Sequence, residues 1–207
     1  TIEEEEEMGN LMFMMSAGEE QMGSKWKGWT KWDDGVTQME GVLSQMGGTT
    51  HVAEIYSPPR VTEMARGMGL TPGLAMDLST VDPEDGQPWD FNNQEKAMKA
   101  EEYVRRIKPV LLIGSPMCTA FSQLQSFNRR KMGEEEYRRM LEYGTRHLEF
   151  CIRLYRIQME EGRYFLHEHP NKAKSWGNKR MQELLEQPGV QRMVGHMCRY
   201  NMVGYDV

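Results

Sequence analysis

"LLIGSPMCTAFS", residues 111–122, is the stretch that decides the fold. It opens on an unbroken apolar run, and the longer reading "PVLLIGS" is the pattern of a strand covered on both faces of a parallel sheet. A Gly-Ser-Pro turn ends that strand. Cys118 stands at the bend, before "TAFSQLQSF", which reads as the start of a helix. A thiol at a helix N-terminus feels the positive end of the dipole and loses its proton more readily. Cys118 is therefore either a nucleophile at the mouth of a sheet or a small residue fitting a tight corner. The hydroxyls of Ser115, Thr119 and Ser122 around it favour the first reading.

Working outward, "HVAEIYS" is a strand with Val52, Ala53, Ile55 and Tyr56 as its apolar content. "PPRVTEMARGMG" is a helix with Val61, Met64, Ala65 and Met68 on one face. "GLAMDLS" is a second strand that ends in Asp77. "WDF" reads as a brief third strand after the turn residues "DPEDGQP". "NQEKAMKAEEYVRRI" is a helix. The clearest helix is "GEEEYRRMLEYGTRHLEFCIRLYRIQMEEG", with Tyr137, Met140, Leu141, Gly144, Leu148, Cys151 and Tyr155 on one stripe and Gly162 as its stop. The pairs Glu134–Arg138, Glu135–Arg139, Glu142–Arg146 and Glu149–Arg153 are spaced to support its surface. "RYFLHEHP" is a strand, "SWGNKRMQELLEQP" a helix, and "VQRMVGHMCRYNM" a last strand or loop. Strands alternating with helices predict an α/β, Rossmann-like, mostly parallel sheet with helices on both faces.

The 207 residues carry a formal charge of −6, 39% hydrophobic and 27% charged residues. That composition excludes a strongly basic nucleic-acid binder, though not a local basic face. No apolar run approaches the length of a membrane span, so no membrane partner is expected. Three scattered cysteines argue against a disulfide framework and for an intracellular protein of the nucleus or cytoplasm. Residues 1–50, with Glu3 to Glu7 and scattered Met and Gly, are expected to be mostly disordered or loosely helical, and residues 51–207 to form the domain. Trp26, Trp29 and Trp32 among lysines read as an amphipathic turn in preference to a stacking platform for nucleic acid. The ends at Thr1 and Val207 suggest a piece of a longer polypeptide.

In such sheets ligands bind beyond the carboxyl ends of the strands. The rule selects the residues after Ser57, Asp77, the 114–118 turn and the 167–170 segment. Asp77 lies at a spacing that suits a ribose diol, or it caps a loop. His167 and His169 should face one way in their strand and Glu168 the other. Glu168 could act as an acid or hydrogen-bond donor, its pKa raised by burial. The alternative is a metal site of His167 and His169 with His196 and Cys198, serving a hydrolase or nuclease.

These residues resemble a known family. "GSPMCTAFS" is similar to the Gly-Ser-Pro-Pro-Cys-Gln-Gly-Phe-Ser motif of the cytosine-5 DNA methyltransferases. "FLHEHP" resembles that family's Glu-Asn-Val strand end, "AEIYS" its first Asp-Leu-Phe-Ser strand, and "WDF" the site of its adenine-binding Asp. The motif order agrees over residues 52 to about 200. The resemblance implies a methyltransferase-type sheet, here incomplete at the C-terminus, and S-adenosylmethionine as cofactor. It makes Cys118 the nucleophile and Glu168 the group that holds the pyrimidine. Glu54, Tyr56, Ser57, Asp77, Asp90, Gly114 and Pro116 fall on the cofactor side, and Ser115, Thr119, Ser122 and His169 on the substrate side. The implied partner is a nucleic acid with its base flipped or single-stranded. Pro58, Pro59 and Arg60 replace the family's glycine-rich turn, Met117 its Pro and His169 its Asn. "SPPR", "GSPMCTAFS" and "HEHP" together also resemble a methyltransferase-like segment of Copia-type retroelement polyproteins. A non-catalytic module of the same fold is the competing reading.

Overall fold

In the computed structural model, which describes residues 10–16, 50–123 and 125–196, six strands form one sheet. They are β1 (Asn10–Ser16), β2 (Val52–Ile55), β3 (Pro72–Met76), β4 (Leu111–Gly114), β5 (Tyr164–Pro170) and β6 (Val190–His196). Their spatial order is β3-β2-β4-β5-β1-β6. β3, β2, β4 and β5 pair in parallel, while β1 runs antiparallel to both β5 and β6. The helices are α1 (Val61–Gly67), α2 (Gln94–Ile107), α3 (Gln125–Met132), α4 (Glu134–Glu160) and α5 (Lys179–Leu185). The chain is thus α/β with a four-stranded parallel core, consistent with a Rossmann-like fold.

Alternation along the strands sorts the core into two faces. Ala53, Ile55, Leu112 and Phe165 join the main core with Ala100 and Val104 of α2 and Leu148, Cys151 and Tyr155 of α4. Val52 and Ile113 point the other way, where α1 covers them with Ala65. Helices cover both faces, as the sequence predicts, but unequally. Of the α4 stripe, Tyr137, Gly144, Leu148, Cys151 and Tyr155 are buried and Met140 and Leu141 partly so, and Gly162 follows the helix at φ 69°. Its surface pairs are partly rearranged. Arg139 does meet Glu135, but Arg138 bridges Glu135 and Glu142, Arg153 reaches Glu101 on α2, and Glu149 meets Arg180 on α5.

Four local expectations are corrected. Residues 10–16 are a strand, not disorder or loose helix, and they pair along their length with β5 and β6. The run "LMFMM" is long enough for a covered strand, but Leu and Met lack the β-branched signature that would announce one. The rest of 1–49, with its three tryptophans, lies outside the described residues. On α1 the buried residues are Thr62 and Ala65, while Met64 is 68% exposed. "WDF" is loop: the chain closes through a Val81–Pro88 bridge and runs into α2, whose cap is Asn93. "TAFSQLQSF" is not one helix: Thr119–Phe121 is a 3₁₀ turn, and only Gln125 to Phe127 belong to α3.

The loop after β3 is anchored to α2 by ion pairs. Asp82, fully buried, meets Lys96 at 2.8 Å and Lys99 at 2.6 Å. Burial opposes its charged form, yet the two ammonium groups hold its pKa down at about 2. On the far side, α4 comes close to the Cys118 turn because residue 144 is glycine. A Cβ there would stand 2.6 Å from Ala120 Cβ. Gly144→Ala is expected to lower stability by about 1–3 kcal/mol, seen as a reduced Tm.

Candidate active site

The chain leaves β2 for β3 on one side of the sheet and returns to β4 on the other, so β2 and β4 border a topological switch point. Crevices open at such points beyond the carboxyl ends of the strands. A cavity of about 160 Å³ lies there. Its walls come from Tyr56 after β2, Asp77 after β3, the loop residues Trp89, Asp90 and Phe91, Ser115 after β4, and Tyr143 and His147 of α4.

Tyr56 is held in the left-handed region at φ 58°, a conformation that costs a bulky residue about 1–3 kcal/mol. Its N–H donates to the Met76 carbonyl at 2.9 Å, and its ring meets Phe91 edge-on at 4.9 Å. Its hydroxyl lies 2.8 Å from His147 Nδ1. Burial, with smaller contributions from Cys151, Tyr143 and Asp90, drives the phenol far above its usual range, so it stays protonated. Asp77 accepts from Ser79 N and Oγ, and Asp90 accepts from Asn92 N and Nδ2. Asp77 thus caps its loop, as one of its two expected roles has it, and it also stands in the cavity wall.

Ser115 joins this cavity to a second group of residues. Its side chain holds the Glu168 pKa down against burial, and the charge of Glu168 acts on Cys118. The thiol and the carboxyl group thus share one edge of the sheet. Both pKa values are raised. Burial is the main cause for each; the Glu168 charge adds to the Cys118 shift, and Ser115 and Arg60 oppose the Glu168 shift. The expected dipole activation of Cys118 fails: a three-residue 3₁₀ turn follows it where an α-helix was expected, so burial decides.

Of the residues assigned to a cofactor, Tyr56, Asp77 and Asp90 line the cavity. The others have structural duties. Glu54, 1% exposed, faces α1 and accepts from Thr62 N, Thr62 Oγ1 and Ser57 Oγ at 2.7, 2.6 and 3.0 Å. It spends its acceptors, and the Ser57 hydroxyl, on holding the Ser57–Pro59 turn against α1. Gly114 makes room for Tyr155, whose hydroxyl would be 1.9 Å from a Cβ at this position. Pro116 is buried and its carbonyl lies 3.0 Å from His169 Nε2.

On the substrate side, Ser115 lines the cavity and Thr119 stands exposed beside Cys118. Ser122 ends the same turn. His169 is corrected: it is buried with both ring nitrogens engaged, Nδ1 by Ser175 Oγ at 2.5 Å and Nε2 by Pro116. Burial lowers its pKa to about 4, so it is a neutral strut under the Cys118 turn. His167 is buried on the same face, against Tyr155 and Trp176, and Glu168 lies on the other. Glu168 therefore cannot share an ion with His167 and His169, and both His169 nitrogens are already engaged. Among the described residues no group of three His, Cys, Asp or Glu is arranged to hold a metal. The His196 side chain and Cys198 lie outside the described residues.

Sequence reasoning missed Trp89, Phe91, Tyr143 and His147. The last two are four apart on α4, beside the apolar stripe, and that spacing was the available signal. Comparison with known proteins gave no matching family, no matching curated protein and no matching solved structure. Among the described residues no helix is long and apolar enough to cross a membrane.

Proposed function

We propose that the chain is an S-adenosylmethionine-dependent methyltransferase core of the cytosine-5 DNA methyltransferase type, acting on a pyrimidine base presented flipped or single-stranded. One observation carries this reading. Tyr56, Asp77 and Asp90 wall a single cavity at the switch point, and Ser115 links that cavity to the Cys118–Glu168 pair.

The walls suit part of such a cofactor. Asp77 and Asp90 offer carboxylate oxygens to hydroxyl and amino donors. Trp89 Nε1 and His147 Nε2 are buried without a protein partner, and buried polar groups need one. The volume fits a ring system in preference to a whole ligand, since complete small-molecule sites span about 300–1,000 Å³. When bound, the cofactor supplies an electrophilic methyl group.

The protein's own residues activate the base. Cys118, as the thiolate after its proton leaves to solvent, adds Sγ to carbon 6 of the pyrimidine as the carbon 5–carbon 6 double bond opens, which leaves carbon 5 an enamine-like nucleophile; once carbon 5 is alkylated, loss of its proton re-forms the double bond and expels the thiolate. Glu168 supports that addition from its protonated form, giving a hydrogen bond or its proton at the ring nitrogen. Its raised pKa keeps that proton to higher pH, and a neutral Glu168 no longer repels the thiolate.

Titration calorimetry with S-adenosylhomocysteine tests the reading. A saturable isotherm is expected, weakened about tenfold by Asp77→Ala. No heat at ~1 mM ligand would leave only a folded scaffold.

A further inference from the structure

Helix α4 reaches over the cleft with Tyr143 and His147, whose rings lie 4.6 Å apart. His147 is 5% exposed. Its Nδ1 meets the Tyr56 hydroxyl, and its Nε2 has no partner. With the Tyr56 hydroxyl as the donor to Nδ1, the neutral imidazole carries its hydrogen on Nε2. Trp89, 1% exposed, lines the same cavity, and its buried Nε1–H has no protein acceptor.

Two buried N–H donors therefore need acceptors at this place. An anionic ligand would supply them but would meet Asp77 and Asp90 in the same wall. A neutral heteroaromatic ring supplies acceptors without that repulsion, and the faces of Tyr56, Phe91 and Tyr143 give it aromatic surroundings. We propose that His147 is a specificity residue of the cleft: fixed by Tyr56, it donates its Nε2–H to a ring nitrogen of a bound purine, with Trp89 Nε1–H as the second donor. This rests on the cofactor reading above and adds to it a residue on α4 that none of the sequence motifs contains. Burial, and then the charge of Arg146, lowers the His147 pKa, which keeps the ring neutral for this role.

The test compares S-adenosylhomocysteine with its 1-deaza, 3-deaza and 7-deaza analogues by calorimetry. Each analogue replaces one ring nitrogen by carbon. The parent protein should bind at least one of them about tenfold more weakly. His147→Phe should bind S-adenosylhomocysteine about tenfold more weakly than the parent and lose that discrimination. Should His147→Phe not fold, ¹⁵N-histidine-labelled parent protein decides: the His147 Nε2–H resonance shifts with S-adenosylhomocysteine and not with the disfavoured analogue. Binding without discrimination, a His147→Phe variant that keeps every discrimination of the parent, or an unmoved resonance overturns this inference and leaves the cofactor reading intact. Absence of binding by the parent overturns both.

Discussion

Cys118→Ala is expected to abolish covalent trapping by an oligonucleotide containing 5-fluorocytosine, a loss of about 10³-fold or more, with stability within about 1 kcal/mol of the parent. The thiol is the attacking group, and nothing in the core depends on it, since Cys118 sits half-buried on the turn. Its reactivity should also carry the imprint of its neighbour. Burial first, and the Glu168 charge second, raise the Cys118 pKa, so its alkylation by iodoacetamide should rise with pH through a midpoint above that of a free thiol. Glu168→Gln removes the second cause and not the first. The alkylation profile should therefore move to lower pH while staying above the ordinary thiol value. Trapping of the oligonucleotide should move the opposite way and fall about 10²-fold or more, because Gln cannot give a proton at the ring nitrogen. Opposite signs on two readouts separate a chemical role for Glu168 from a structural one. Superposable alkylation profiles for parent and Glu168→Gln would break the proposed coupling.

Much of the site was legible because strand ends are. An apolar run of strand length followed by Gly-Ser-Pro reads as the exit of a strand, and the positions after β2, β3, β4 and β5 meet along one edge as parallel pairing requires. Asp77, Ser115, Cys118 and Glu168 were all found by that rule, and Tyr56 by the family resemblance. What failed was the assignment of duties within it. Period-2 alternation says that Glu54 and Glu168 share a face, but only the packing of α1 shows that Glu54 is consumed by Thr62 and Ser57. His169 likewise stands next to Glu168 in sequence and on the opposite face in space. The strand at 10–16 escaped because its partners, β5 and β6, lie more than a hundred residues away, and its Met-rich sequence carries no local preference for extended backbone. His147 escaped for a related reason: its meaning comes from Tyr56, 91 residues earlier.

The largest effect on stability is expected from Cys151→Asp. Cys151 is fully buried on the α4 stripe one turn from Tyr155, and Tyr155 in turn meets His167 Nδ1 at 3.0 Å and fills the space left by Gly114. A carboxylate at this position has no cation beside it in the main core, and breaking such an environment costs about 3–5 kcal/mol. That is a large share of the roughly 5–15 kcal/mol that holds a domain together. The deficit should depend on pH with a definite sign. The introduced Asp has a folded-state pKa raised above its unfolded value of about 3.9. Between those two values the folded state binds the extra proton, so stability falls as pH rises. Urea denaturation should find the variant closest to the parent near pH 4 and furthest from it at neutral pH and above. Cys151→Ala, which removes one sulfur and adds no charge, should lose about 1 kcal/mol with no such slope. Because Tyr155 abuts Gly114 at the root of the Cys118 turn, the damage should reach the site before global unfolding and weaken ligand binding in the cleft. Equal stability of Cys151→Asp and the parent across that pH range would mean that α4 does not bury this stripe, and the wall that presents His147 would fall with it.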